Sequence, residues 1–316
     1  LGFSNVNIVE AQATPDGNFP TTPSPNPEEQ AAMRMAVDLA KEIDADIVFA
    51  SDPDADRVGV AVKRPNGEWM LLNGNQTFAV LAYYLTKQWK ETGRITGREY
   101  MVSTIVTSEL PVKIAGSCGV EAFKVLTGFK YIGSKIAEQE QLGKTFIMGG
   151  EESYGYMIGD FVRDKDAVGA CCMIAEMAAW AREQGKSFFD VLIDIYKEYG
   201  FYKEGLHNVV RKGKSGAEEI QQMMKDFREN APKEIGGVKV SKVIDYKNDE
   251  TGLPKSNVLQ YFLEDGSKVT VRPSGTEPKI KFYFSVKGSI GCACCFDSAN
   301  QELDAKIQAC KQSLGL

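Results

Sequence analysis

At 316 residues the chain is too long for one ordinary domain and predicts two or three. Hydrophobic content of 43% beside 25% charged residues is that of a soluble globular protein with real cores, and no apolar run approaches the roughly 20 residues a membrane helix needs. A net charge of −6 without an evident basic face argues against a nucleic-acid partner, and with no signal peptide at the start the expected location is the cytoplasm.

The chain opens at Leu1 without methionine, and Val6-Asn7-Ile8-Val9 already reads as a strand, so the expectation is a piece cut from something longer. A proline-rich loop runs from Thr14 to Pro27. Asn26-Pro27-Glu28-Glu29 is a helix start, followed by helical spacing from Ala31 to Ile43. Ile47–Ala50 is a short buried strand ending in the acidic loop Ser51–Asp56, and Val58–Val62 is another. A helix over about Gln76–Lys90 closes this segment. In the next, strands at Met101–Thr107, Ala122–Val125 and Thr145–Met148 alternate with helices near Ser108–Ala115, Tyr131–Gln141 and Ala167–Arg182. That alternation is the signature of βαβ units on a mostly parallel sheet. After about Tyr202 the texture changes. Helix Ala217–Glu229, strands Val238–Ile244, Val258–Leu263, Lys268–Val271 and Lys279–Val286, and a closing helix Ala299–Ser313 predict an antiparallel sheet. The fold class is therefore α/β: two doubly wound mixed α/β/α domains over residues 1–93 and 94–201, then a smaller α+β domain over 202–316.

Seven cysteines at irregular spacing read as reduced thiols, not a disulfide framework. The cluster Cys292-Ala-Cys294-Cys295 invites a metal, but without a histidine or second cysteine pair nearby in sequence a solvent loop is the simpler reading.

Three strings carry chemistry. Asp52-Pro53-Asp54-Ala55-Asp56-Arg57 sets three carboxylates at alternate positions directly after a buried strand. They can converge on one hard cation, and oxygen ligands suit Mg²⁺. An EF-hand fails here, because its glycine position is Arg57 and its twelfth position is Lys63; the bland alternative is an Asp-rich turn in water. Arg272-Pro273-Ser274-Gly275-Thr276 lies between two strands. Arginine offers a bidentate fork to phosphate, the hydroxyls donate, Gly275 lets backbone N–H groups approach an anion, and Lys281 on the returning strand adds a point charge. An ordinary hairpin would look similar. Gly150-Glu151-Glu152-Ser153-Tyr154-Gly155 pairs carboxylates with a serine, which suits sugar hydroxyls as well as it suits an acidic helix start. Lys165, between Asp164 and Asp166, is a general acid/base if its pKa is lowered, although flanking carboxylates raise it. The Gly-Lys-Ser/Thr strings at Gly143, Gly185 and Gly213 lack a P-loop's first glycine, which is Glu138, Trp180 and Asn208 respectively. His207 is the only histidine, so no Ser-His-Asp or Cys-His machinery exists within the chain.

In this order, Asp52–Arg57, Thr127-Gly-Phe-Lys130, Gly150–Gly155 and Arg272–Thr276 resemble the α-D-phosphohexomutase family of phosphoglucomutases and phosphomannomutases, over nearly the whole chain. The resemblance implies four domains around a cleft, of which this chain corresponds to the second, third and fourth. It implies Mg²⁺ at Asp52, Asp54 and Asp56, with Arg57 close to the transferring phosphate. It puts Glu151 and Ser153 on the sugar hydroxyls, Arg272, Ser274, Gly275 and Thr276 on the non-reacting phosphate with Lys281 helping, and Lys130 and Lys165 in ligand contact, Lys165 as the candidate acid/base. The family's phosphorylated serine sits in a Thr-Ala-Ser-His-Asn-Pro type loop. Here the one histidine stands between Leu206 and Asn208-Val209, so that loop, and the phosphoserine ligand it gives the metal, are expected in a missing N-terminal domain of the same protein.

The implied reaction passes phosphate from phosphoserine to a sugar monophosphate through a sugar 1,6-bisphosphate, with a phosphosugar as partner. The loop Glu151–Tyr154 favours glucose 1-phosphate, with phosphomannomutase and phosphopentomutase activities as alternatives. Two rivals stand outside the family. A haloacid-dehalogenase-like phosphatase would use Asp52 as nucleophile and Asp54 as acid, but predicts threonine or valine where Asp56 stands. A non-catalytic phosphosugar-binding module would bind without turnover.

Overall fold

The computed structural model describes residues 2–211, 213–248, 251–275 and 277–316, and divides into two compact units over 1–195 and 196–316. In the first unit a single helical turn, α1 (Glu10–Ala13), precedes α2 (Gln30–Glu42). The strand expected at Val6–Val9 is absent. A strand needs a ladder partner, and among the described residues no strand pairs with these, which leaves Val6 69% and Ile8 63% exposed. The helix expected from Pro27 starts at Gln30, so Glu28 lies ahead of it.

Strands β1 (Ile47–Ser51), β2 (Val58–Lys63) and β3 (Trp69–Leu72) form an antiparallel sheet, with Ile47 opposite Val62 and Ser51 opposite Val58. The apolar stripe of α2 packs on it through Met33 and Ala40 against Val48 and Ala61, the i and i+7 spacing expected of an amphipathic helix. Helix α3 (Gly74–Glu91) opens with a reciprocal cap: the Asn73 side chain accepts from the Gln76 N–H, and the Gln76 side chain accepts from the Asn73 N–H. The sequence gives α3 to the first segment. Its contacts run instead to α4 (Leu110–Ser117), to β6 (Thr145–Gly150) and to α6 (Ala167–Glu183).

The second sheet has the order β5-β4-β6-β7, with β4 (Glu99–Thr104) parallel to both β5 (Glu121–Val125) and β6, and β7 (Tyr156–Ile158) added antiparallel. Helix α5 (Phe129–Gln141) covers one face, burying Phe129, Ile132 and Ile136 against Tyr100, Val102 and Phe146. β4, β5 and β6 are parallel, so all three end on the same edge of the sheet. That edge is where such sheets place their ligands.

After α7 (Phe188–Tyr199) the second unit holds a six-stranded antiparallel sheet, β8-β13-β12-β11-β10-β9, with β8 (Phe201–Val210), β9 (Glu234–Ile235), β10 (Val238–Asp245), β11 (Leu259–Leu263), β12 (Lys268–Pro273) and β13 (Lys279–Gly288). Helices α8 (Gly213–Glu229) and α9 (Phe296–Ser313) pack on it. α1, β3, β7, α7, β8 and β9 are additions to the sequence-based reading; the other elements fall where expected within a few residues.

Arg228 near the end of α8 grips Asp245 at the end of β10 with two hydrogen bonds, Nε to Oδ2 at 2.7 Å and Nη2 to Oδ1 at 3.2 Å, and adds one to Asn257 Oδ1 at 2.9 Å. Burial opposes the Asp245 charge, but the Arg228 fork outweighs it and holds the carboxyl below its ordinary range. A carboxyl lowered by folding stabilises above its unfolded pKa and loses that contribution as pH falls through the folded one. Asp245→Asn should therefore cost about 1–3 kcal/mol near neutral pH, and the gap to the parent chain should close in acid. Urea midpoints of both chains across the acid range check this, and a gap that stays constant would contradict it.

Candidate active site

The acidic loop is held by its own first residue. Asp52 Oδ1 accepts from the backbone N–H of Asp56 at 3.0 Å and of Arg57 at 2.9 Å, folding the chain back so that Ala55 takes a left-handed φ of 56°. Carboxylate oxygens of Asp52, Asp54 and Asp56 then lie within 4.8 Å of one another. Burial lifts the Asp52 carboxyl above its ordinary range, with the Asp56 charge adding, against the two N–H bonds that lower it. Asp56 Oδ1 is buried without a hydrogen-bond partner. Crowded carboxylates and an orphaned carboxylate oxygen are the donor set a hard divalent cation satisfies, so these residues fit Mg²⁺.

Arg57 turns back over this loop. Its Nη1 donates to Glu28 Oε1 at 3.1 Å, and its Nε stands 3.8 Å from Asp52 Oδ2 and 3.7 Å from Asp56 Oδ1. Glu28, which in the sequence looks like part of a helix start, is thus a partner of the candidate phosphate-facing arginine. Nothing in its local spacing announces a pairing across 29 residues.

Lys165 joins three loops. Its Nζ is 2.7 Å from Asp56 Oδ2 and 5.3 Å from the centre of the Phe129 ring, which begins α5 after Thr127-Gly128. Its stem lies over Gly155 so closely that an added Cβ there would fall 2.2 Å from Lys165 Cδ. The flanking acids have separate roles: Asp166 caps α6 by accepting from Val168 and Gly169, and Asp164 stays exposed. Burial works against the ammonium charge, yet the Asp56 bond prevails and holds Lys165 above its ordinary range. It keeps its proton at neutral pH and is suited to donate, not to abstract.

Glu151 and Glu152 leave the carboxyl end of β6. Glu151 Oε1 accepts the Gly128 N–H at 2.9 Å, and the Glu151 N–H is bound to Gly155 O. The Glu152 carboxylate turns inward to Thr104 Oγ1 at 3.2 Å and Thr107 Oγ1 at 3.4 Å, and burial, with Glu151 beside it, raises its pKa. The following Tyr154 carries a φ of 65°, and its carbonyl accepts from the Val58 N–H at 3.1 Å, tying the loop to β2. Lys130 is exposed, its Nζ 5.0 Å from the Tyr131 ring. Asp52, Asp54, Asp56, Arg57, Glu151 and Lys165 are therefore brought into one linked set with Ser153 on the same loop. Thr104 and Thr107, which support that loop through Glu152, escape a reading of the sequence because their contacts are long-range.

In the second unit, β12 and β13 form a hairpin closed by the Ser274 N–H to Lys279 O bond at 2.8 Å. Its register sets Arg272 directly opposite Lys281. Opposed residues of an antiparallel pair share a face, so two cations stand side by side where like charges repel. Gly275 is exposed, and a Cβ added there would meet nothing within 4 Å, so packing does not demand this glycine. Thr276 lies outside the described residues.

With this geometry in hand, three family models match in succession: phosphoglucomutase/phosphomannomutase alpha/beta/alpha domain II over residues 1–67, domain III over 73–199, and the C-terminal domain over 206–289. The chain belongs to the phosphoglucomutase/phosphomannomutase family. Phosphoglucomutase of Staphylococcus aureus strain MRSA252 is 39% identical over 320 residues, and that of strain N315 is 38% identical. These alignments take in 97% of this chain and 56% of each relative, so the chain spans just over half the length of the curated relatives it matches. Among solved structures, the Paramecium phosphoprotein parafusin, a phosphoglucomutase in its open form, superposes with a TM-score of 0.63 at 18% identity, over 92% of this chain and 50% of that one. A phosphoglucomutase/phosphomannomutase family protein of Burkholderia thailandensis gives 0.62 at 17% identity, over 94% and 53%. At such identities these two share the fold. Among the described residues no helix is long and apolar enough to cross a membrane.

The loop after β6 makes one sharp demand. Gly74, first residue of α3, sits so close to it that an added Cβ would fall 1.9 Å from Glu152 O and 2.9 Å from Tyr154 N. Backbone atoms cannot rotate aside, so Gly74→Ala should displace the 151–155 loop and cost about 1–3 kcal/mol. Thermal or denaturant unfolding measures this, and an unchanged midpoint would show that the loop is not held there.

Proposed function

We propose that this chain is the substrate-binding and metal-binding part of a phosphoglucomutase that interconverts glucose 1-phosphate and glucose 6-phosphate. The observation that carries the reading is the set of loops joined through Lys165: a three-carboxylate cluster, a carboxylate-and-serine loop and the Gly128–Phe129 turn, linked within one unit. The Arg272–Lys281 pair supports it, since two apposed cations on one face suit the dianion of a sugar phosphate.

In this reading Asp52, Asp54 and Asp56 hold Mg²⁺, which supplies neutralisation of charge at the phosphoryl group in transfer. Arg57 faces the transferred group, restrained by Glu28. Lys165 holds a proton beside it and donates to the leaving oxygen. Glu151 and Ser153 orient the sugar hydroxyls for in-line attack, and Lys130, exposed at the start of α5, adds a charge to the ligand's rim. Arg272, Ser274, Gly275, Thr276 and Lys281 hold the phosphate that does not react.

The phosphorylated serine is assigned to an N-terminal domain outside these 316 residues. It gives its phosphate to the monophosphate, the resulting 1,6-bisphosphate turns end for end, and the other phosphate returns to the serine. The division follows the acidic-loop domain over 1–93, the sugar-loop domain over 94–201 and the phosphate-loop domain over 202–316. The same loops would serve mannose or pentose phosphates, which makes those the outcomes to compare.

Two experiments test this. In the intact parent protein, Asp54→Asn should lower mutase turnover by about 100-fold or more while leaving the fold unchanged, because Asp54 is exposed. Turnover and Mg²⁺ dependence both left near normal would remove the acidic loop from the site. The chain as it stands should bind glucose 6-phosphate on the order of millimolar, about 4 kcal/mol, without converting it when supplied with glucose 1,6-bisphosphate. Calorimetric titration should show Arg272→Ala weakening that binding by about tenfold or more. Clear turnover by this chain alone would overturn the division of labour, since one of its own residues would then carry the phosphate.

A further inference from the structure

Between the end of β13 and the start of α9 the chain gathers three sulfurs that the sugar-phosphate reading leaves unused. Cys292, Cys294 and Cys295 turn through a short 3₁₀ segment, Ala293–Cys295, and the Cys292 Sγ is in bonding contact with the sulfur of Cys294 and with that of Cys295. One sulfur makes one disulfide bond at a time, so the two contacts are alternatives. Backbone spacing decides which pairs can close. A disulfide spans Cα atoms about 4.4–6.8 Å apart. Cys292 meets that requirement twice, at 5.4 Å to Cys294 and 5.3 Å to Cys295. Cys294 and Cys295 are chain neighbours, so their Cα atoms are only about 3.8 Å apart, and their sulfurs stand 4.0 Å from each other. Cys292 is therefore the common partner. Cys310, the other cysteine of this unit, is buried near the far end of α9, about 20 Å along its axis, and out of reach.

The turn is closed before any sulfur bond forms. Cys295 N–H donates to Cys292 O at 3.1 Å. Ile290 before the turn and Phe296 after it are buried, and the Phe296 ring stacks on Phe201 at 5.6 Å. Thiols held in this way meet at an effective concentration far above that of any thiol in solution. Cys292 and Cys295 also keep the Cys-X-X-Cys spacing directly ahead of a helix, a setting that suits thiol–disulfide chemistry. Access is graded: Cys294 is exposed, while Cys292 and Cys295 are half-buried. A disulfide arriving from solvent meets Cys294 first.

We propose that Cys292, Cys294 and Cys295 form a site of reversible thiol oxidation, at which a small-molecule disulfide closes one internal disulfide on Cys292 and leaves the third cysteine as a thiol. The Cys294 thiolate attacks one sulfur of the incoming disulfide, whose S–S bond breaks and whose other half leaves as a thiolate. The Cys292 thiolate then attacks the Cys294 sulfur and expels the second half. Two cysteine thiols are oxidised, the small disulfide is reduced to two thiols, and the two protons pass to the leaving thiolates. Attack of Cys295 on the Cys292 sulfur moves the bond to the Cys292–Cys295 pair and frees Cys294, with no net oxidation. The spacing in sequence reads as reduced thiols, and the structure adds that these three are placed to exchange.

The test is exposure of the phosphine-reduced, desalted chain to glutathione disulfide, followed by alkylation, tryptic digestion and mass spectrometry. The peptide over 288–306 holds these three cysteines and no others. Its expected product has lost two hydrogens and keeps one alkylatable thiol in place of three, and excess reduced glutathione should restore all three. Cys292→Ser should stop at a glutathione adduct without an internal bond. Cys294→Ser and Cys295→Ser should each still close, through the partner that remains, and leave no alkylatable thiol in the peptide. Circular dichroism of the reduced variants separates lost closure from lost fold, and none of these readouts depends on sugar-phosphate activity. A parent peptide that keeps three thiols, stops at the adduct or does not reopen would overturn the proposal, as would internal closure in Cys292→Ser.

Discussion

The ion pair between Lys165 and Asp56 is the contact that ties the loops of the first unit together. A carboxylate held among two others needs positive charge nearby, and a lysine whose stem crosses Gly155 can supply it only if position 155 has no side chain. One pair thus fixes the acidic loop after β1, the loop after β6 and the ring that begins α5. The two sheets contribute to it from different strands. What they have in common is that each loop leaves a strand at its carboxyl end, and in the second sheet the parallel arrangement puts those ends on one edge.

The β12–β13 hairpin is built on a different principle. The antiparallel register alone sets Arg272 and Lys281 opposite each other. That constraint is visible only when the pairing is known. In the sequence Lys281 is simply a lysine nine residues beyond an arginine.

This marks the line between what was legible and what was not. Elements with strong periodicity, such as α2, α5 and the β4–β6 strands, could be read because their apolar spacing is set by the face they bury. The acidic loop could be read because three aspartates at alternate positions repel without a cation. Val6–Val9 misled because alternation predicts a strand only where a neighbour offers a ladder. β7 and β9 are three and two residues long, too short for any period to register. Glu28, Thr104, Thr107 and Gly74 were hidden for another reason: each acts through a partner at least 29 residues away, and nothing about its immediate neighbours is unusual. Lys165 was singled out in the sequence with its acid/base role tied to a lowered pKa, and the Asp56 pair moves it the other way.

The way Gly74 meets the 151–155 segment has a consequence for how such an enzyme can change over generations. The segment's path is set by main-chain atoms, by the missing Cβ at position 74 and by the Tyr154 carbonyl bound to β2. Ser153, half-buried on the same loop, has no side-chain atom among them. Substitution at that position can therefore be accommodated without rebuilding the path of the loop. Position 74, by contrast, takes a side chain only by displacing that backbone, so latitude at one site rests on constraint at the other.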